Sequence, residues 1–160
     1  MNQIRVLTVC LGNICRSPAA QGILSSEAAK RGMNLTLDSA GTAAYHVGNL
    51  PDSRSIAALQ KIAIDITDQR ARQVSESDFD EFDWILAMDR DNLRNLKKIK
   101  PAKCRAKVVM FGEFTSGQTY GEVDDPYYDG EQGFIIMRQH LMDISQAFLD
   151  HLEMLNQTDS

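Results

Sequence analysis

The chain has little cysteine, little proline and no long apolar run, and each shortage removes a class of protein. Three cysteines, at positions 10, 15 and 104 of 160 residues, are too few and too unevenly spread for a secreted disulfide framework, and an odd count leaves one unpaired. A reducing cytosol, and hence a cytoplasmic protein, is the expected setting. The first apolar stretch, Ile4 to Val9, is interrupted by Arg5 and followed by Asn13 and Arg16, so neither a signal peptide nor a membrane span fits. There is no excess of positive charge either: 17 Lys and Arg stand against 22 Asp and Glu, a net charge of -5, which turns the reading away from nucleic acid. With 43% hydrophobic and 24% charged residues, four prolines and ten glycines, the composition excludes collagen-like repeats, low complexity and disorder. What remains is a single domain over residues 1–160, large enough for one core.

Along the chain, short apolar runs alternate with helical patterns. Ile4 to Val9 reads as a buried strand that ends in the tight sequence Cys10-Leu11-Gly12-Asn13. From Ser17-Pro18, with Ala19, Ala20, Ile23, Leu24 and Ala28 on one side, the spacing predicts a helix that stops at Arg31-Gly32. Further strands are expected at Leu35 to Leu37, Trp84 to Met88 and Lys107 to Phe111, further helices at Ser53 to Ile62 and Asp91 to Ile99, and a short helix or turn at Phe79 to Phe82. Two irregular stretches, from Ala40 to Asp52 and from Gly112 to Gly133, read as functional loops. Phe134, Met137, Leu141, Ile144, Phe148 and Leu152 then step by three or four, as in a long amphipathic helix packed on the core. This alternation implies an α/β fold, a doubly wound sheet of about four parallel strands, with any site beyond the strands' carboxyl ends.

The loop after the first strand carries the chemistry. Cys10 and Arg16 are six positions apart, at the junction of a strand and a helix N-terminus. That spacing can close a loop around one anion: successive backbone N–H groups turn inward, Gly12 and Asn13 tolerate a left-handed backbone, and the helix dipole adds positive potential. The same field favours the thiolate of Cys10, a ready nucleophile. Arg16 can hold two phosphoryl oxygens side by side, and Ser17 can donate to the sulfur. Singly, each residue has a plainer reading, since a cysteine at a strand end is ordinarily a small buried hydrophobe. In register with Gly12, Asn13 and Ser17-Pro18, they form a phosphate-binding loop. It is not a Walker loop, for no Gly-Lys-Ser or Gly-Lys-Thr occurs.

The run Val9-Cys10-Leu11-Gly12-Asn13-Ile14-Cys15-Arg16-Ser17-Pro18 resembles the signature of the low-molecular-weight protein tyrosine phosphatases. Asp38-Ser39-Ala40-Gly41, Ala71-Arg72-Gln73, the stretch from Phe79 to Asp83 with Met88-Asp89, and Asp124-Asp125-Pro126-Tyr127-Tyr128 follow in the family's order. The resemblance implies that Cys10 attacks phosphorus, that Arg16 binds the phosphoryl group, and that Asp125, not Asp124, is the general acid and then the base. It implies substrate contacts from Leu11, Gly12, Asn13, Ile14, Cys15 and Ser17, an aromatic pocket from Tyr45, Tyr127 and Tyr128, and support of the loop by Asn13 and Ser39. It also implies redox protection of Cys10 by Cys15, beside the plainer role of Cys15 as buried filling. Phosphate would be the product, and a phosphotyrosine-containing protein, such as a tyrosine kinase, the partner. No metal, cofactor or membrane is implied. The sequence departs from many relatives at Gln69, where they carry histidine; a glutamine can still hydrogen-bond the loop asparagine but cannot titrate.

Three rivals share parts of this pattern. A thioredoxin-linked arsenate reductase of the same fold would need a later pair of relay cysteines, and only Cys104 is present. A binding module without catalysis would be expected to lack the nucleophile, the arginine or the acid. Metal catalysis would need paired ligands, whereas His46, His140 and His151 are scattered and are read as surface residues. Within the family resemblance, relatives acting on phosphoarginine typically carry threonine where this chain has Ile14, so the isoleucine points to phosphotyrosine.

Overall fold

The computed structural model describes residues 3–115 and 121–158. Part of the loop expected between Gly112 and Gly133, residues 116–120, lies outside the described residues. Four strands, β1 (Ile4–Cys10), β2 (Leu35–Gly41), β3 (Trp84–Ala87) and β4 (Lys107–Met110), form one parallel sheet in the order β2-β1-β3-β4. The helices are α1 (Arg16–Lys30), α2 (Ser53–Gln60), α3 (Asp78–Glu81), α4 (Arg90–Ile99) and α5 (Gly130–Thr158). The expected α/β architecture is the one observed.

The order of the strands places the site. β1 has β2 on one side and β3 on the other, so the chain reverses its direction of winding between them, and the loops after β1 and β3 part to leave a crevice. One apolar cluster packs α1 and α5 on a face of the sheet, with Val6, Ile23, Leu24, Leu86, Leu141, Ile144 and Phe148 buried. A second, built on Leu7, Val9, Phe79, Ile85 and Leu96, fills the other face. The central strands are buried on both sides, hence their continuous apolar runs.

Several boundaries differ from the expected ones, each for a tertiary reason. β2 extends through Asp38 and Ser39 to Gly41, because β1 pairs with it along its whole length, from Ile4 opposite Leu35 to Cys10 opposite Gly41. α2 ends at Gln60, and the chain then turns through Ala63, which has a φ of 62°. Phe111 leaves β4 for a 3-10 helix, Phe111–Phe114. α5 begins at Gly130, one turn before its apolar stripe. α1 stops as expected, with Gly32 at a φ of 68°.

Candidate active site

β1 ends at Cys10, and the chain circles through Leu11 to Cys15 before α1 starts at Arg16. Only Asn13 in this circle is left-handed, with a φ of 58°; Gly12 does not share that conformation, contrary to expectation. Gly12 instead lets the His46 ring come close, since a Cβ there would lie 2.9 Å from it and the ring would have to shift. The loop carbonyls point outward to protein donors. Cys10 O accepts from Thr42 N at 2.9 Å, Leu11 O from Ala43 N at 3.0 Å, Ile14 O from Asp52 N at 2.8 Å and Cys15 O from the Ser55 hydroxyl at 3.1 Å. Among the described residues the N–H groups of Leu11 to Cys15 have no such protein acceptor. A ring of donors at a helix N-terminus is an anion site.

Cys10 is buried, and its sulfur lies 3.1 Å from the Ser17 hydroxyl. Ser17 in turn accepts from the Asn13 side chain at 2.8 Å, which leaves its proton to be shared between the sulfur and the Ala40 carbonyl at 3.5 Å. Asn13 also donates to Ser39 Oγ at 2.9 Å and accepts from the Arg72 backbone N–H at 3.0 Å. The structure therefore brings Asn13 and Ser39 into contact, and the Arg72 amide adds a third partner that the sequence did not reveal. Gln69 does not bond asparagine as expected; it accepts from Ser39 at 3.4 Å and donates to Pro18 O at 3.1 Å. Arg72 is itself fixed by two carboxylates, Asp38 at 3.1 Å and Asp78 at 3.0 Å. The polar residues that hid the end of β2 from the sequence pattern are the ones that brace the loop.

Arg16 is buried beneath the loop, and its Nη1 donates to Asp89 at 2.6 Å and to the Val123 carbonyl at 3.0 Å. Nε is buried without a partner among the described residues, and Asp125 Oδ2 stands 3.7 Å from Nη2. Nη1 is thus anchored, while Nε and Nη2 make no hydrogen bond among the described residues. Burial would lower its pKa, but the negative charges of Cys10, Asp89 and Asp125, with the Asp89 hydrogen bond, outweigh this and hold it above the ordinary arginine value. Asp89 was named in the sequence only within the Met88-Asp89 motif, with no role assigned to it. Its signal was local: it follows β3 and caps α4, accepting from Asn92 N at 2.7 Å while the Asn92 side chain accepts from Asp89 N.

A cavity of about 360 Å³ opens over the loop, lined by Cys10, Leu11, Gly12, Ile14, Cys15, Arg16, Tyr45, His46, Asp125, Tyr127 and Tyr128. Every predicted site residue is on that wall except three buried ones, the support residue Ser39 and, against expectation, Asn13 and Ser17, which were expected to contact substrate. Tyr45 and Tyr128 are 75% and 94% exposed, so they stand at the mouth as free walls. His46, expected on the surface, is a correction: its ring rests against Gly12 inside the cavity. His151 is another, half-buried with its ring 5.9 Å from Trp84 and 5.2 Å from Phe114. Cys10, Cys15 and Cys104 are all free thiols. No group of three or more His, Cys, Asp or Glu among the described residues is arranged to hold a metal, and no helix there is long and apolar enough to cross a membrane.

Comparison with known proteins follows the same outline. Residues 5–158 match the family described as low molecular weight phosphotyrosine protein phosphatase. A Schizosaccharomyces pombe protein of that name is 50% identical over 149 residues, covering 91% of this chain and 95% of the relative. A crystal structure of a protein tyrosine phosphatase from Entamoeba histolytica, with Hepes in its active site, is 36% identical and superposes with a TM-score of 0.90 over 96% of this chain and 99% of that one. A crystal structure of a Drosophila arginine phosphatase is 31% identical, with a TM-score of 0.88 over 93% and 98% of the two chains.

Proposed function

The chain belongs to the low molecular weight phosphotyrosine protein phosphatase family and is a protein tyrosine phosphatase; on that premise we propose that it hydrolyses phosphotyrosine through a cysteinyl-phosphate intermediate, with Cys10, Arg16 and Asp125 as its catalytic residues. The observation that carries this reading is the single cavity lined by Cys10, Arg16 and Asp125, over a loop whose N–H groups have no protein acceptor among the described residues. A phosphoryl group held there has three oxygens facing donors and its phosphorus facing sulfur.

In the first step the Cys10 thiolate attacks phosphorus, and the P–O bond to the phenol breaks. The phenolate oxygen leaves with the electron pair and takes the proton of Asp125. Arg16 and the loop N–H groups carry the charge spread over the equatorial oxygens. In the second step Asp125 takes a proton from water, whose oxygen attacks phosphorus. The P–S bond breaks, the thiolate returns with Ser17 donating to it, and inorganic phosphate leaves. Neither step draws on a metal or cofactor. Asp125 is mounted for this work by the Tyr127 N–H, which donates to its Oδ1 at 3.1 Å.

Tyr45 and Tyr128 at the mouth, with Tyr127 beside them, favour an aromatic phosphate ester, whose ring would lie between them. The natural partner on this reading is a phosphotyrosine-containing protein, such as a tyrosine kinase, in the cytoplasm. Cys15, buried in the same loop, would then protect an oxidised Cys10 as a disulfide partner. A second reading, phosphoarginine hydrolysis, is favoured by the likeness to the Drosophila arginine phosphatase, and Ile14 stands against it.

Hydrolysis of phosphotyrosine, phosphoserine and phosphoarginine, and reduction of arsenate, measured with chelator present, separates these readings. Phosphotyrosine should turn over fastest and Cys10→Ser should abolish it; a fully active Cys10→Ser enzyme ends the proposal. Asp125→Ala should lower kcat by roughly 100-fold for phosphotyrosine and much less for esters with good leaving groups. Equal losses across leaving groups would remove Asp125 from the acid role.

A further inference from the structure

Among the described residues no hydrogen bond or ion pair joins Arg54 to the loop after β1, yet its contacts link that loop to the segment that bears Asp125. It lies in the first turn of α2, whose N-cap is Asp52. Asp52 is locked to the phosphate loop by its own N–H, which donates to Ile14 O at 2.8 Å, and to α2 by accepting from Arg54 N at 2.9 Å. Its carboxylate then receives the guanidinium in a fork, Nε to Oδ1 at 3.0 Å and Nη2 to Oδ2 at 2.9 Å. A planar group held by two parallel bonds has a fixed face as well as a fixed position.

Two rings lie close to that guanidinium. The guanidinium carbon is 5.3 Å from the centre of the Tyr127 ring and 4.5 Å from that of Phe134, both within the range of cation–π attraction. Phe134 is buried in α5, whereas Tyr127 lines the catalytic cavity and belongs to the segment bearing Asp125. A physical chain therefore runs from Ile14 through Asp52, Arg54 and Tyr127 to Asp125.

We propose that Arg54 is a positioning residue: it fixes the Tyr127 wall against α2, and so sets the aromatic pocket relative to the phosphate loop. The inference rests on the phosphatase reading above, and its test is built so that the two can fail separately. The Arg54 side chain is 36% exposed, so its removal leaves no large cavity in the core.

The test compares wild type, Arg54→Met, Tyr127→Ala and the double variant, with KM and kcat for phosphotyrosine and competitive inhibition by inorganic phosphate. Arg54→Met should raise KM for phosphotyrosine about fivefold, the size of one partly desolvated cation–π contact. Inhibition by phosphate, which engages the loop alone, should stay within about twofold. In the Tyr127→Ala background the same Arg54 change should add less than about twofold, because its partner is gone. An unchanged KM overturns the proposal. So does an equal loss in both backgrounds, or a parallel weakening of phosphate, which would mean that α2 had merely ceased to support the loop. A wild type that does not hydrolyse phosphotyrosine overturns the phosphatase reading instead.

Discussion

Cys10 and Cys15 belong to one loop and both are buried, yet their surroundings suit opposite tasks. Cys10 faces the Ser17 hydroxyl and the donor ring. For Cys15, burial above all, then the negative charges of Asp52, Cys10 and Asp125, push the thiol far up, with Arg54 opposing them weakly. It remains a protonated thiol across the physiological range, and a thiol attacks electrophiles far more slowly than a thiolate. Iodoacetate at neutral pH should therefore label Cys10 at least about tenfold faster than Cys15, and inorganic phosphate should protect Cys10. Peptide mapping by mass spectrometry reads the two sites separately. Comparable rates would mean that burial does not govern Cys15.

At the scale of elements, α2 acts through its N-terminus. Its cap residue and its third side chain hold the Ile14 and Cys15 carbonyls, so the stability of this short helix and the shape of the phosphate loop are linked. Hydrogen bonding from the Arg54 side chain holds the Asp52 carboxyl below its usual range, and the backbone bonds add to this against the cost of burial. A depressed folded pKa contributes stability that is present above the unfolded value, about 4, and is lost as pH falls through the folded one. Asp52→Ala should cost about 1 kcal/mol at pH 7, as for other N-caps. In urea unfolding at successive pH values, the gap between wild type and variant should narrow steadily below about pH 4. A gap that is constant with pH would show that the carboxylate's charge is irrelevant to the cap.

For the whole molecule, α5 packs on the core through an aromatic cluster away from the site. Phe148 is fully buried and meets Phe114, Trp84 and Phe111 edge to face at 4.9, 5.5 and 5.9 Å between ring centres. Phe148→Ala should cost about 3–5 kcal/mol and lower Tm by roughly 10 °C. Trp84, the only tryptophan, gives the fluorescence signal for that unfolding. Because none of these rings lines the catalytic cavity, kcat of the folded variant should stay within about twofold of wild type. A larger loss would reveal coupling between the α5 packing and the loops.

How much of this was legible without coordinates depended on whether the residues concerned are near one another in sequence. Apolar runs at Ile4 to Val9 and Trp84 to Met88 and the stripe from Phe134 to Leu152 announced strands and helix, because backbone hydrogen bonding and burial of one face are local or periodic constraints. Cys10, Asn13, Arg16 and Ser17 were readable for the same reason: one loop must supply nucleophile, turn and anion donors within eight residues. Asp125 was reached only through a family likeness, since Asp-Pro alone is an ordinary turn. Only the fold decided the rest. Asp89 meets Arg16 across 73 positions, the Arg72 amide meets Asn13 across 59, and Arg54 meets Tyr127 across the gap between α2 and the segment before α5. His46 entered the pocket because the chain after β2 folds back over Gly12. Such contacts leave no periodic trace in a sequence, because their spacing is set by how the strands cross and not by any repeat along the chain.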